Sequence, residues 1–210
     1  MGVPVLILGA SGSGKSTSLR NFDPSEVGIF NVAGKPLPFR KKLPKVDHAD
    51  YKKIITALSK PKLKSYVIDD SSYLMTFQAF ARAKEQGYQK FTEMALDFYS
   101  LIRFIIDQLP PDVIVYLLHH TEETETGSIK AKTVGKMLDN QLTLEGLFSI
   151  VLLCKTDGQR HWFETKSDGY STAKSPIDMF AEREIDNDLK MVDTIIREYW
   201  AEDMTASDEA

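Results

Sequence analysis

The stretch Gly9-Ala10-Ser11-Gly12-Ser13-Gly14-Lys15-Ser16-Thr17 decides the fold, because it matches the pattern G-x-x-x-x-G-K-[ST] in full. Its glycines let the backbone curl, so that successive N–H groups can point to phosphate oxygens. The apolar run Val3–Leu8 precedes the stretch and predicts a buried strand, and Lys15–Asn21 predicts the start of a helix. The N-terminal dipole of that helix would add to the attraction for an anion. This order of elements predicts a site for the phosphates of a nucleotide.

We call Gly9–Thr17 the phosphate loop. Within it, Lys15 is expected to reach the β- and γ-phosphates, and the hydroxyl of Ser16 is expected to coordinate magnesium. Further contacts are expected from the other residues of the loop, namely Gly9, Ser11, Gly12, Ser13, Gly14 and Thr17. ATP and Mg²⁺ are therefore the predicted cofactors.

A second hydrophobic run, Ser65–Ile68, ends in two acidic residues, Asp69 and Asp70. A site of this kind needs a carboxylate that holds magnesium, usually through its water ligands, and Asp69 lies where that carboxylate is expected. Asp70 is predicted to orient or deprotonate the attacking water. The alternative is that the pair only caps the following helix beside Ser71 and Ser72.

A third run, Val113–Leu118, ends in His119 and His120. Neighbouring residues of a strand point to opposite faces, so only one of these histidines can face a nucleotide. We expect His120 to contact the γ-phosphate or the attacking water and His119 to pack in the core. Two histidines on opposed faces, without further ligands nearby, do not favour a metal site.

Basic residues are concentrated between positions 35 and 64, where ten Lys or Arg residues accompany two acidic ones in a chain of net charge −4. Such a segment is typical of an anion or nucleic-acid contact, and a solvated loop is the alternative. Contacts to DNA, or to the nucleotide of a neighbouring subunit, are predicted for Lys41, Lys42, Lys130, Lys132, Lys136 and Arg160.

Strands that alternate with helices predict an α/β fold with a mainly parallel sheet flanked by helices. A helical stretch from 72 to 109 is expected to break near Gly87, and Glu122–Val134 suggests a hairpin or a mobile loop. A C-terminal antiparallel hairpin is predicted from Phe148–Cys154 and Trp162–Thr165. A terminal amphipathic helix within Ile185–Tyr199 follows, capped by Asp186 or Asn187. The predicted organisation is a core over 1–170, an extension over 171–202 and a disordered acidic tail over 203–210.

Several classes of protein are disfavoured by composition. A single cysteine, Cys154, cannot form an internal disulfide and is expected to be a small buried hydrophobe. Val3–Leu8 lacks the basic leader of a signal peptide. Since no apolar run approaches the roughly 20 residues of a membrane span, we expect a cytoplasmic protein without a membrane partner.

The order of Gly9–Thr17, Tyr66–Asp70 and Val113–His120, followed by a basic loop, resembles the RecA-like ATPase core and AAA-type ATPases. More narrowly, the chain resembles small ATP-binding proteins of bacteriophages that are related to phage single-strand annealing proteins. The short stretches that support this likeness are Gly34–Phe39, Thr133–Lys136 and Ile185–Leu189. The resemblance implies a RecA-like P-loop core and the cytoplasm of a host cell as the location.

The resemblance further implies an ATPase that acts on single-stranded DNA in recombination or replication, as a homo-oligomer and beside a single-strand binding protein or another replication protein. One departure concerns Asn31–Lys35, which has no acid where the RecA core carries a catalytic glutamate. This departure favours slow hydrolysis and keeps an ATP-dependent scaffold or switch protein as an alternative. A small-molecule or nucleotide kinase is a second alternative, although Glu122–Lys132 contains no arginine for a phosphate-clamping lid.

Overall fold

Buried apolar strands form the centre of the molecule. A computed structural model describes residues 1–135 and 143–201. Within these ranges the strands are β1 (Val3–Gly9), β2 (Val27–Asn31), β3 (Lys45–Asp47), β4 (Ser65–Asp69), β5 (Ile114–Glu123), β6 (Ile129–Ala131), β7 (Ile150–Thr156), β8 (His161–Glu164) and β9 (Glu184–Asp186). The helices are α1 (Tyr51–Leu58), α2 (Ser72–Ala81), α3 (Gln89–Gln108) and α4 (Leu189–Tyr199), with 3-10 helices at Ser16–Asn21 and Leu144–Leu147.

The strands form one mixed, mostly parallel sheet in the order β3-β2-β4-β5-β1-β7-β8-β9. The first six strands of this order, which are β3, β2, β4, β5, β1 and β7, run parallel to one another. The chain then folds back, so that β8 runs antiparallel to β7, and β9 runs antiparallel to β8. Strand β6 lies outside the main order and forms a hairpin with β5. The sequence-based predictions of an α/β fold with a mainly parallel sheet, flanking helices and a C-terminal antiparallel hairpin are confirmed.

Both faces of the sheet are covered, which explains why its central strands are continuous apolar runs. Along β1, Leu6 and Leu8 pack with α1, α2 and α3, whereas Val5 and Ile7 pack on the opposite face. That second face is covered by α4 and by the 3-10 helix Ser16–Asn21. The sheet thus lies between two apolar layers, and the carboxyl ends of its parallel strands meet at one edge.

The helix predicted after the phosphate loop is different in the structure. It is a 3-10 helix of six residues that ends before Phe22, whose backbone is extended. Two features of the sequence explain its shortness: serine and threonine compete with helical backbone bonds, and Asp23 precedes Pro24, which disfavours helical backbone at that point. The dipole contribution expected from a full α-helix is therefore reduced, and the loop must rely mainly on its own N–H groups.

The remaining sequence-based predictions concern a helix break, a hairpin, a helix cap and the domain boundaries. The break between α2 and α3 at Gly87 is confirmed, and Glu122–Val134 contains the β5–β6 hairpin. The cap predicted at Asp186 or Asn187 is wrong, because Asp186 ends β9 and the side chain of Asp188 accepts from the first turn of α4. The acidic tail lies outside the described residues, and the domain boundaries stay predictions. No described helix has both the length and the apolar character needed to cross a membrane.

Candidate functional site

A cleft of about 280 Å³ lies at the edge where the parallel strands end. Its walls come from the segments that follow β1 and β2, from the end of β4 and the residue after it, from β5 and from the start of β8. The lining residues are Ser11, Gly12, Gly14, Lys15, Ser16, Thr17, Lys35, Pro36, Pro38, Asp69, Asp70, His120 and His161. In open parallel sheets this edge is the usual position of a ligand site.

The phosphate loop occupies one wall of the cleft. Gly9 admits no side chain, because a Cβ there would lie 2.4 Å from Ser13 Oγ and 2.9 Å from the carbonyl oxygen of Cys154. The ammonium group of Lys15 donates to the carbonyl oxygens of Gly9 (2.7 Å) and Ala10 (2.9 Å). Burial lowers the pKa of Lys15. Since an ammonium group has three N–H donors, Lys15 keeps the capacity to bind a phosphate oxygen.

Ser16 and Asp69 meet across the cleft, although 53 positions separate them in the chain. The hydroxyl of Ser16 donates to Asp69 Oδ1 at 2.8 Å. Burial raises the pKa of Asp69, and the hydrogen bond from Ser16 acts in the opposite direction. Hydroxyl and carboxylate oxygens are the ligands that Mg²⁺ takes, and Mg²⁺ typically keeps waters and substrate phosphates as its other ligands. These two side chains fit such an ion. The described residues contain no cluster of three or more His, Cys, Asp or Glu that could hold a metal by itself.

Asp70 lies in the cleft together with Asp69 because its backbone is left-handed, with φ of 60°. Regular strand geometry would direct the two neighbouring side chains to opposite faces. Asp70 Oδ2 accepts from Lys35 Nζ at 2.8 Å, and Asp70 Oδ1 lies 3.2 Å from His120 Nε2. Burial acts to raise the pKa of Asp70, but the bonds from His120 and Lys35 outweigh it and lower the pKa to about 2.

The two adjacent histidines have separate surroundings. His120 lines the cleft, whereas His119 is fully buried. His119 Nε2 lies 2.8 Å from the carbonyl oxygen of Lys132, and its Nδ1 lies 2.9 Å from Ser71 Oγ. A carbonyl oxygen only accepts, so Nε2 carries the proton and Nδ1 is the unprotonated nitrogen that faces the Ser71 hydroxyl. Burial lowers the pKa of His119 to about 4, although the bond to Lys132 acts in the opposite direction.

The basic residues predicted for DNA or for a neighbouring subunit lie outside the cleft lining wherever the structure describes them. Lys41 pairs with Asp23 at 3.2 Å, and Lys130 pairs with Glu122 at 3.0 Å. Arg160 lies 3.7 Å from Glu184 and over the ring of Trp162. The side chains of Lys42 and Lys132 are exposed, and Lys136 lies outside the described residues. The described members of this set therefore do not join the phosphate loop in lining the cleft.

Two polar residues of the cleft lining were missed as site residues by the sequence-based predictions. Lys35 counted only as part of the basic segment and of a family-like stretch, and His161 had no assigned role. The signal for Lys35 was the neighbouring Gly34, a short distance after β2, since the backbone of Gly34 has φ of 70° and turns the chain into the cleft. His161 Nδ1 lies 2.7 Å from the carbonyl oxygen of Ser13. Only the pairing of β8 with β7 brings it there, so no local signal marked it.

The fold and the site define an α/β protein with a phosphate loop, two acidic residues and two histidines at the carboxyl edge of a parallel sheet. The chain matches no model of a known protein family, and no curated protein matches it.

Proposed function

We propose that the protein binds ATP with Mg²⁺ in the cleft and hydrolyses it slowly. The observation that carries this proposal is the 2.8 Å hydrogen bond between Ser16 and Asp69. It joins the end of the phosphate loop to the acidic strand end, which is the pair of oxygen ligands that a phosphate-bound magnesium ion needs. The resemblance to RecA-like and AAA-type ATPases of the phage single-strand annealing group supports the same function.

Each residue has a task in this proposal. The N–H groups of the phosphate loop and the ammonium group of Lys15 bind the phosphate oxygens. Ser16 and Asp69 hold the Mg²⁺ ion, which, when bound, neutralises charge on the phosphate oxygens. Asp70 and His120 orient the attacking water. An aspartate with a pKa of about 2 is a weak proton acceptor near neutral pH, which favours slow turnover.

Single-stranded DNA is the partner that we propose for this ATPase, because of an aromatic stripe on α2. The stripe consists of Tyr73, Phe77 and Phe80, whose spacing puts them on one helix face. The rings of Tyr73 and Phe77 are stacked at 5.3 Å, and Phe77 and Phe80 are 46% and 74% exposed. Exposed aromatic rings beside basic residues are the usual means of binding single strands.

The stripe begins at the cleft. Lys35 Nζ lies 5.2 Å from the ring centre of Tyr73, and the ring of His120 lies 5.4 Å from the same ring. Lys35 and His120 are also the two partners of Asp70. A base stacked on the stripe would therefore act on the groups that hold Asp70, which provides a physical route for DNA to change the rate of hydrolysis.

The alternatives differ from this proposal in measurable ways. A scaffold or switch protein would bind ATP with little turnover, and the low pKa of Asp70 is compatible with it. A kinase would transfer phosphate to an acceptor instead of water. No arginine of the described residues lines the cleft, which disfavours a kinase site with an arginine lid. Homo-oligomer formation and a replication or recombination partner remain proposals from the resemblance.

Phosphate release from ATP tests the proposal. We expect slow release by the wild type with Mg²⁺ and none with EDTA. Asp69→Asn with Mg²⁺ should release phosphate at least about tenfold more slowly than the wild type, since a neutral amide holds the ion poorly. Asp23→Asn is the matched control, because Asp23 is an exposed aspartate that pairs with Lys41 away from the cleft lining. ATP binding without phosphate release would favour the scaffold, and release only with an added acceptor would favour the kinase.

A further inference from the structure

The carbonyl oxygen of Ser13, within the phosphate loop, is held by two donors from the β7–β8 hairpin. His161 Nδ1 lies 2.7 Å from it, and Cys154 Sγ donates to it at 3.1 Å. Because a carbonyl oxygen only accepts, Nδ1 of His161 carries the proton in this contact. The loop is therefore fixed from outside at the peptide that joins Ser13 to Gly14.

Because the carbonyl group of Ser13 is held in place, the direction of the Gly14 N–H group is fixed as well. The peptide bond is planar and trans, so the carbonyl of Ser13 and the N–H of Gly14 point to opposite edges of one plane. His161 and Cys154 hold the carbonyl against the hairpin. The N–H of Gly14 is consequently directed away from these two donors, and Gly14 and Lys15 both line the cleft.

The fit between His161 and the loop is close. A Cβ on Gly14 would lie 2.8 Å from His161 Nδ1, and the backbone of Gly14 has φ of 103°. Gly14 is therefore required both for its left-handed backbone and for the space that the imidazole ring occupies. His161 itself also lines the cleft.

A second set of contacts supports the Ser13–Gly14 peptide indirectly, through Cys154. Asn187 Nδ2 donates to Cys154 Sγ at 3.2 Å, and Asn187 is buried. Arg20, from the 3-10 helix that follows the loop, donates to the carbonyl oxygen of Asn187 at 2.5 Å. The segment before α4 thus connects the donor Cys154 to the 3-10 helix that follows the loop.

We propose that His161 is a positioning residue of the nucleotide site, which orients the Gly14 N–H toward phosphate through the Ser13 carbonyl, with Cys154 as the second donor. The inference rests on the proposed function, since it concerns how the same site binds phosphate. A loop oriented in this way binds ground state and transition state alike, so its loss raises KM and leaves kcat nearly unchanged.

Four variants test the proposal in the full chain. His161→Phe keeps a ring and removes the donor, His161→Asn places an amide N–H near the position of Nδ1, and His161→Gln places it near Nε2. Cys154→Val removes the S–H group at similar volume. The measurements are the Kd of a fluorescent ATP analogue with Mg²⁺, the values of KM and kcat, and the melting temperature.

We expect His161→Phe and His161→Gln to raise Kd and KM about tenfold, which corresponds to the loss of one well-placed hydrogen bond. His161→Asn should keep both constants within about threefold of the wild type. Cys154→Val alone stays within about threefold, because His161 still holds the carbonyl. The His161→Phe/Cys154→Val double variant loses more affinity than the product of the two single losses.

Two results would overturn the inference while leaving the proposed function intact: a wild type that binds the analogue with His161→Phe binding equally well, or equal losses in Asn, Gln and Phe variants that follow their melting temperatures. Absence of binding by the wild type would instead overturn the proposed function. If His161→Phe fails to fold, the comparison of His161→Asn with His161→Gln decides the matter.

Discussion

Asp70 and Lys35 form an ion pair of 2.8 Å inside the cleft, although one residue directly follows β4 and the other lies in the loop after β2. The left-handed backbone of Asp70 and the glycine turn before Lys35 both serve this contact. Left-handed backbone at a residue other than glycine costs roughly 1–3 kcal/mol and is found mainly at functional sites. The ion pair therefore marks the part of the cleft that the carboxylate of Asp70 faces.

The variant Lys35→Met tests the importance of this ion pair for turnover. We expect kcat for ATP hydrolysis to fall by about tenfold or more, because a cation next to the phosphates and the partner of Asp70 are lost together. Stability should change by less than about 1 kcal/mol, since the side chain of Lys35 is 60% exposed. Lys41→Met, in the same loop but outside the cleft lining, is the control. An equal fall of kcat in both variants would contradict a specific role of Lys35.

Gly9→Ala tests the crowding inside the phosphate loop. The added methyl group would meet Ser13 Oγ at 2.4 Å and the carbonyl oxygen of Cys154 at 2.9 Å. Backbone atoms cannot yield as a side chain can, so we expect a destabilisation of about 1–3 kcal/mol and a clear loss of ATP affinity. Gly146→Ala is the control, since no atom lies within 4 Å of its added Cβ. Unchanged urea denaturation and ATP binding in Gly9→Ala would show that the loop is less tightly packed than described.

The burial of His119 predicts a loss of stability in mild acid. The folded protein holds this ring neutral, with a pKa of about 4 against 6.5 in an exposed histidine. Between these two values the unfolded chain binds a proton that the folded one does not. The contribution of His119, roughly 3 kcal/mol, is therefore present above pH 6.5 and is lost as the pH falls toward 4.

The variant His119→Gln isolates this contribution, because glutamine does not titrate. Urea denaturation at a series of pH values should show a steeper loss of stability for the wild type than for the variant, whatever the other groups contribute to both. Parallel curves would show that His119 is protonated equally in the folded and unfolded states.

Phe77→Ala tests the aromatic stripe as the DNA contact. Stacking of one base on an aromatic ring contributes about 1–3 kcal/mol, so we expect at least about fivefold weaker binding of a labelled single-stranded oligonucleotide, measured by fluorescence anisotropy. Affinity should also fall as salt increases. Tyr170→Ala is the control, because Tyr170 is 65% exposed and is not part of the stripe. Equal binding by both variants and the wild type would exclude the stripe as the binding surface.

The sequence was sufficient for the parts of the site that are encoded locally. Lys15 and Ser16 belong to a fixed spacing, and Asp69 ends a hydrophobic strand, so parallel strand ends bring them to one edge. The alternating burial of Leu6 and Ile7 on the two faces likewise follows from strand periodicity. Such features need no knowledge of loop paths or of strand register.

The remaining parts depend on contacts between distant segments. His161 reaches the phosphate loop because β8 pairs with β7, which in turn lies beside β1. Lys35 reaches Asp70 through the course of a proline-containing loop. Lys15–Asn21 was predicted to start a helix, but the segment forms only a short 3-10 helix, because the local effect of Pro24 outweighs the expectation from the motif. No periodicity of the sequence encodes these relationships.

The most direct test of the account is equilibrium binding of ATP with Mg²⁺ to the wild type and to Lys15→Met, measured by calorimetric titration. Lys60→Met, an exposed lysine after α1, serves as the control. We expect binding by the wild type and the control, and a loss of at least about hundredfold in Lys15→Met, because methionine fills the space and cannot bind phosphate. Melting temperatures establish that both variants are folded under the conditions of the titration. Equal affinity of Lys15→Met and the wild type, or no binding by the wild type, would contradict the assignment of the cleft as an ATP site.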